Sequence, residues 1–183
     1  MVQMIKRIVV LVLFTQTLFA GISSDIDRLF TIVNDKQEII IKDSIHTIDL
    51  RRLLQMTAMI ESRYGTNKYD GRIAKTPMQY ELSTADFYTD YMSELTNYMT
   101  KEFDTPYSAS QELTGIFHSY IIYMGKLQLH HKLLDRYYHY YSDTGDTEWL
   151  VYKVLWNSIK GKSTYDKWKQ RENEFLINDF SDI

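Results

Sequence analysis

Hydrophobic and polar positions along this chain recur mostly with the period of a helix, and the segment from Leu50 to Arg63 shows it best. Leu50, Leu54, Thr57 and Ala58 fall on one face, Thr47 or Asp49 stands ready to cap the start, and Tyr64-Gly65 closes the end. At about 100° per residue, Glu61 projects from that same face about three turns beyond Leu50. A carboxylate therefore occupies a place where the pattern asks for a core residue. Upstream, Ser23 to Val33 offers capping residues followed by apolar positions at helical spacing and predicts a first short helix. Gln37 to Lys42, with Ile39-Ile40-Ile41, fits strand or helix equally. Downstream, the pattern predicts helices at about Thr84 to Phe103, Ser108 to His131, Lys132 to Tyr141, Glu148 to Ile159 and Thr164 to Phe175.

Breaks separate these helices at Asp104-Thr-Pro106, Ser142 to Asp146 and Lys160-Gly-Lys-Ser163. From Thr66 to Ser83 the periodicity lapses and Asn, Asp, Gly, Lys and Pro accumulate, which predicts an irregular loop or a small hairpin after the Glu61 helix. Long loops of this kind often carry function. Neither an internal repeat nor a low-complexity tract interrupts the pattern.

The chain has 183 residues, enough for one domain with one core. Seven Gly and two Pro leave few breakers to punctuate strands, so the fold class expected is mainly α. Residues 1–20 combine a basic start (Lys6-Arg7), an apolar run from Ile8 to Phe14 and a small residue at Ala20, the pattern of a secretion signal. That run is shorter than the roughly 20 residues a membrane-spanning helix needs. Export to the periplasm or beyond is the expectation, with residues 21–183 as the mature domain; Leu18, where a small residue is preferred, leaves an uncleaved anchor as the alternative. Losing the two cations of the signal takes the net charge from −3 to −5, which disfavours capture of nucleic acid or anionic lipid. With no Cys, no disulfide can form, and packing alone must hold the fold.

Glu61 is the chief chemical candidate. A carboxyl on the inward face of a helix end, followed by a polar loop, is partly removed from water, which disfavours its charge and raises its pKa toward the range of a general acid. The plainer reading is a solvated carboxylate at a fraying end, or one paired with Arg63 or Arg72.

The neighbouring letters add to the first reading. Ile60-Glu61-Ser62-Arg63-Tyr64-Gly65, then Gly71-Arg-Ile-Ala-Lys-Thr-Pro-Met78-Gln79-Tyr80-Glu81 with Thr84-Ala85, then Leu155-Trp156-Asn157-Ser158-Ile159-Lys160-Gly161 and Tyr165, resembles the soluble lytic transglycosylase family of the lysozyme-like superfamily. In that family a helix ends in Glu-Ser, a Gly-Leu-Met-Gln type motif follows, and an Ala-Tyr-Asn-Ala-Gly type signature comes later with a downstream Tyr. The resemblance spans about residues 45 to 170 and implies a lysozyme-like single domain without cofactor or metal. It implies that Glu61 is the single acid/base cutting the bond between N-acetylmuramic acid and N-acetylglucosamine of peptidoglycan. Ser62, Met78, Gln79, Tyr80, Trp156, Asn157 and Tyr165 would then line or support the substrate site. Thr76-Pro77 stands in place of Gly-Leu, Trp156 in place of a Tyr that approaches the acid, and Ile159 in place of a Gly.

Hydrolysis would need a second carboxylate, for which Asp70 and Glu81 are the near candidates. His118, His130, His131 and His139 lack metal-binding spacing and read as solvated or capping side chains. The run Arg136-Tyr-Tyr-His-Tyr-Tyr141, with Tyr120 and Tyr123, gives a tyrosine-rich core or surface. The competing reading is a non-catalytic envelope protein that binds glycan strands or a protein partner through that face.

Overall fold

A computed structural model describes residues 22–62, 76, 78–103, 111–157, 165, 166, 168–170 and 172, and among them the protein is mainly α-helical with one small sheet. Helix α1 covers residues 22–29 and buries Ile22, Ile26 and Leu29, one inward stripe at helical spacing. Strands β1 (Lys36–Ile41) and β2 (Ser44–Asp49) pair antiparallel from Lys36 opposite Asp49 to Ile41 opposite Ser44. The open choice at Gln37 to Lys42 is thus resolved as strand. Alternation explains it: Gln37, Ile39 and Ile41 turn inward with His46 and Ile48, while Ile40 and Ile45 stay exposed as a cross-strand pair. The two-residue turn, Lys42-Asp43, has positive φ at both positions (50° and 62°), the geometry that suits the twist of the flanking strands. This hairpin precedes the Glu61 helix. Of the loop or hairpin expected after that helix, residues 63–75 and 77 lie outside the described residues, and Glu81 already stands at the N-cap position of the next helix, without a side-chain cap bond.

Helix α2 (Leu50–Ser62) starts where the pattern predicts. Asp49 is the cap: its Oδ1 accepts the Arg52 backbone N–H at 2.9 Å, and the Leu50 N–H donates to the Asp35 carbonyl at 2.8 Å. Its buried face is wider than the predicted stripe, taking in Leu53, Met56 and Met59 as well as Leu50, Leu54, Thr57 and Ala58. The helix lies inside the fold rather than on it.

The single helix expected from Thr84 to Phe103 is two, α3 (Leu82–Tyr91) and α4 (Ser93–Phe103), with the break at Met92. Side chains replace part of the broken ladder, since the Thr96 hydroxyl donates to the Thr89 carbonyl at 3.1 Å. Helix α5 (Gln111–His130) is the central one, burying Ile116, Phe117, Tyr120, Ile121, Ile122, Tyr123 and Leu127. Gly125 lets α3 close on it: a Cβ there would stand 2.4 Å from the Tyr88 ring. The segment expected as one helix from Lys132 to Tyr141 is likewise two short ones, α6 (Lys132–Arg136) and α7 (His139–Thr144), ending on Gly145 with φ 67°. Helix α8 (Thr147–Val151), capped by Asp146, runs straight into a π-helical turn, Tyr152–Trp156. Residues 165, 166, 168–170 and 172 are helical, within the last helix expected.

A buried ion network joins these parts. Arg52 of α2 donates from Nη1 and Nη2 to the two Asp146 oxygens at 2.8 Å, from Nη1 also to Glu148 at 2.7 Å, and from Nε to Glu172 at 2.8 Å. Glu148 also accepts the Asp49 backbone N–H at 2.7 Å, so the start of α2 and the start of α8 are pinned to each other. Among the described residues no helix is long and apolar enough to cross a membrane. The proposed signal, residues 1–20, lies outside them.

Candidate active site

Three separated segments meet at the C-terminal end of α2. Glu61 is half-buried there, and its Oε1 accepts a hydrogen bond of 2.8 Å from the Tyr152 hydroxyl. Gln79, held at φ 50° with its N–H on the Thr76 carbonyl at 2.9 Å, sends its side-chain amide to the Glu61 backbone carbonyl. Asn157 donates from Nδ2 to the Tyr152 hydroxyl at 3.4 Å. Glu61, Gln79 and Asn157, one from each motif, are thus linked in a single cluster.

Burial pushes the Glu61 carboxyl above its ordinary value of 4.5, and the Tyr152 hydrogen bond pulls it part of the way back. The Tyr152 hydroxyl is itself pushed far up, by burial and then by the Glu61 charge, so it stays protonated and remains a donor. A carboxyl in this setting can hold a proton, release it to a neighbouring oxygen and be stabilised afterwards as an anion.

Tyr152 is the residue the sequence reading missed. The resemblance puts a Tyr that approaches Glu61 at position 156, where Trp stands; the Tyr that does so comes from one turn earlier on the same segment. The π turn is the reason. Its wider turn lets the Asn157 N–H reach the Tyr152 carbonyl at 2.9 Å and brings the Asn157 amide over the Tyr152 ring oxygen, a five-residue spacing that an α-helix would place on different faces. The one available signal was Tyr at four residues before Trp156 in a helical pattern.

Trp156, the residue before Asn157, forms an aromatic wall with two other rings. Its ring stacks on Tyr123 at 4.7 Å and meets the edge of Tyr80 at 6.5 Å. The Tyr123 hydroxyl bonds Thr57 at 2.6 Å, one helical turn before Glu61, so the aromatic wall is tied to the same helix as that carboxyl. Lys126 lies over the Trp156 ring at 5.6 Å and donates to the Leu155 carbonyl at 2.6 Å, closing the end of the π turn; burial lowers its pKa to about 8.

The other expected site residues divide. Tyr80 is buried in this wall, its hydroxyl 2.7 Å from His118 Nδ1. Met78 is wholly buried and packs as a core residue. Ser62 is also wholly buried, its hydroxyl donating to the Ala58 carbonyl at 3.2 Å, so it turns into the helix instead of lining an open surface. Tyr165 belongs to the Arg52 network: its hydroxyl is 3.3 Å from Asp146 Oδ2 and its ring meets Trp149 edge-on. Asp70, Arg63 and Arg72 lie outside the described residues, and Glu81 is exposed at the start of α3.

The histidines also divide. His118, expected as solvated or capping, is buried on α5; burial holds its pKa down to about 4, with Asp86 opposing, so the ring is neutral. His130 and His139 are exposed. Among the described residues no group of three His, Asp or Glu side chains is placed to hold a metal ion. The tyrosines at 137, 138, 140 and 141 are half-buried, and Tyr138 and Tyr141 pack their edges on His46 of the hairpin.

Compared with protein-family models, curated proteins and solved structures, the chain matches none.

Proposed function

We propose that this protein is an exported, lysozyme-like enzyme of the lytic transglycosylase type that cleaves peptidoglycan strands, with Glu61 as its one acid/base. The observation that carries the reading is the linkage of a half-buried, pKa-raised Glu61 to Gln79 on one side and to Tyr152 and Asn157 on the other. These are the segments in which the sequence resemblance lies.

On this reading Glu61 begins protonated and gives its proton to the glycosidic oxygen between N-acetylmuramic acid and N-acetylglucosamine as the bond to the muramic C1 breaks. The resulting carboxylate keeps the Tyr152 hydrogen bond, which is stronger to an anion than to a neutral acid. It then takes the proton of the muramic C6 hydroxyl while that oxygen bonds to C1, closing the 1,6-anhydro ring. No water is consumed and Glu61 ends protonated again, so a second carboxylate has no part to play. Trp156, stacked on Tyr123, would give the strand a rigid apolar wall.

The test is digestion of purified sacculi. The protein should clear a peptidoglycan zymogram and release anhydro-muropeptides, and Glu61→Gln should abolish both with an unchanged circular dichroism spectrum. A folded wild-type protein inert on sacculi, or full turnover in Glu61→Gln, refutes the reading; reducing muramic ends among the products would mean hydrolysis. The packing of Trp156 into the wall also suits a second reading, a non-catalytic envelope protein that holds glycan or a protein partner. Sacculus binding without product release, unchanged in Glu61→Gln, would favour it.

A further inference from the structure

Lys153 is a buried cation with no part in the chemistry above. Its side chain sits on the π turn beside Tyr152 with the residue only 2 % exposed, and its Nζ donates to Asn157 Oδ1 at 3.1 Å. Burying an ammonium is costly, and burial lowers its pKa. We propose that Lys153 is a positioning residue that fixes the direction of the hydrogen bonds running through Asn157 and Tyr152 to Glu61.

The reasoning is one of donors and acceptors. A protonated lysine has three donors and no acceptor, so only the oxygen of the Asn157 amide can face it. The amide is thereby prevented from flipping, and its Nδ2 must point at Tyr152. With its oxygen accepting from Asn157, the Tyr152 hydroxyl has a single hydrogen left, and that hydrogen goes to Glu61 Oε1. The acid proton of Glu61 is then excluded from Oε1 and resides on Oε2, away from the network. Without the cation the amide could turn over, the Tyr152 hydrogen could be drawn to Asn157, and the Glu61 proton could be spent on the Tyr152 oxygen. Among the described residues, the groups facing the carboxyl are Tyr152 from the π turn and Tyr123 from α5, with Lys126 behind Trp156. The relevance to catalysis rests on Glu61 being the acid; the order of the hydrogen bonds does not.

The experiment is a carboxyl-carbon NMR titration of Glu61 in the full chain without substrate, assigned by comparison with Glu61→Gln. Lys153→Met should raise the proton affinity of Glu61 roughly 3- to 10-fold, the difference one redirected hydrogen bond makes. Lys153→Arg, which keeps a cation without acceptors, should restore the wild-type midpoint; should the Met variant fail to fold, Lys153→Leu, which also lacks a donor, takes its place. In the Tyr152→Phe background, substitution of Lys153 should have no further effect. A folded Lys153→Met or Lys153→Leu with an unmoved midpoint overturns the proposal. So does an equal shift in the Tyr152→Phe background, which would mean a direct field from the cation. Sacculus digestion is scored separately: inert protein with the expected shifts leaves the relay standing and removes the glycan reading, and active protein without them does the reverse.

Discussion

Tyr152→Phe isolates the hydrogen bond that, among the described residues, stabilises the charged form of Glu61. In the native protein the hydroxyl lies 2.8 Å from Oε1. Such a bond is worth about 1.5–3 kcal/mol to a carboxylate and about 0.5–1.5 kcal/mol to the neutral acid. The difference, about 1–2 kcal/mol, should appear as a roughly 5- to 30-fold rise in the proton affinity of Glu61. The sign for stability follows from linkage. Glu61 already has a folded pKa above its unfolded value, so its penalty is absent below that unfolded value near 4.5 and grows as pH rises through the folded one. Loss of the hydroxyl deepens the penalty. The gap in unfolding free energy between wild type and Tyr152→Phe should therefore widen by about 1–2 kcal/mol from pH 4 to pH 8, read by urea denaturation at both. A constant gap, or an unmoved Glu61 midpoint, would refute the claim that this hydroxyl acts on the carboxylate.

His118 should give a pH dependence of opposite sign. Its folded pKa of about 4 lies below the ordinary 6.5, so the folded state resists its protonation and stability should fall by up to about 3 kcal/mol as pH drops from 6.5 to 4. His118→Asn should flatten that slope in denaturation measured across the window. At the other end of the molecule, Arg52→Leu leaves Asp146, Glu148 and Glu172 without their shared cation, at side-chain exposures of 7%, 12% and 13%. The expected loss is about 3–5 kcal/mol at pH 7 by chemical denaturation, smaller at a pH where the carboxylates can protonate; a loss below 1 kcal/mol would mean the network is solvated in solution.

Local pattern reached some of this molecule and not the rest. The Asp49 cap, the extent of α2 and the inward place of Glu61 were legible because each depends on residues within one helix. The split at Met92 was not, because apolar positions continue through it and the break is relieved by Thr96, whose hydroxyl reaches back seven residues. His118 looked solvated because a lone polar residue on a helix says nothing of what packs against it; Tyr80, 38 residues away, takes its Nδ1.

What the sequence determined by itself is the mainly helical character and the candidate carboxyl, since helical period and capping act within a few residues. Tertiary structure alone decided which groups surround that carboxyl. Tyr152 reaches Glu61 across 91 positions of chain, and Tyr165 joins the Arg52 network through Asp146. A one-dimensional pattern marks the face a side chain leaves from; the packing of separate helices, with a π turn changing the register of one, settles where it arrives.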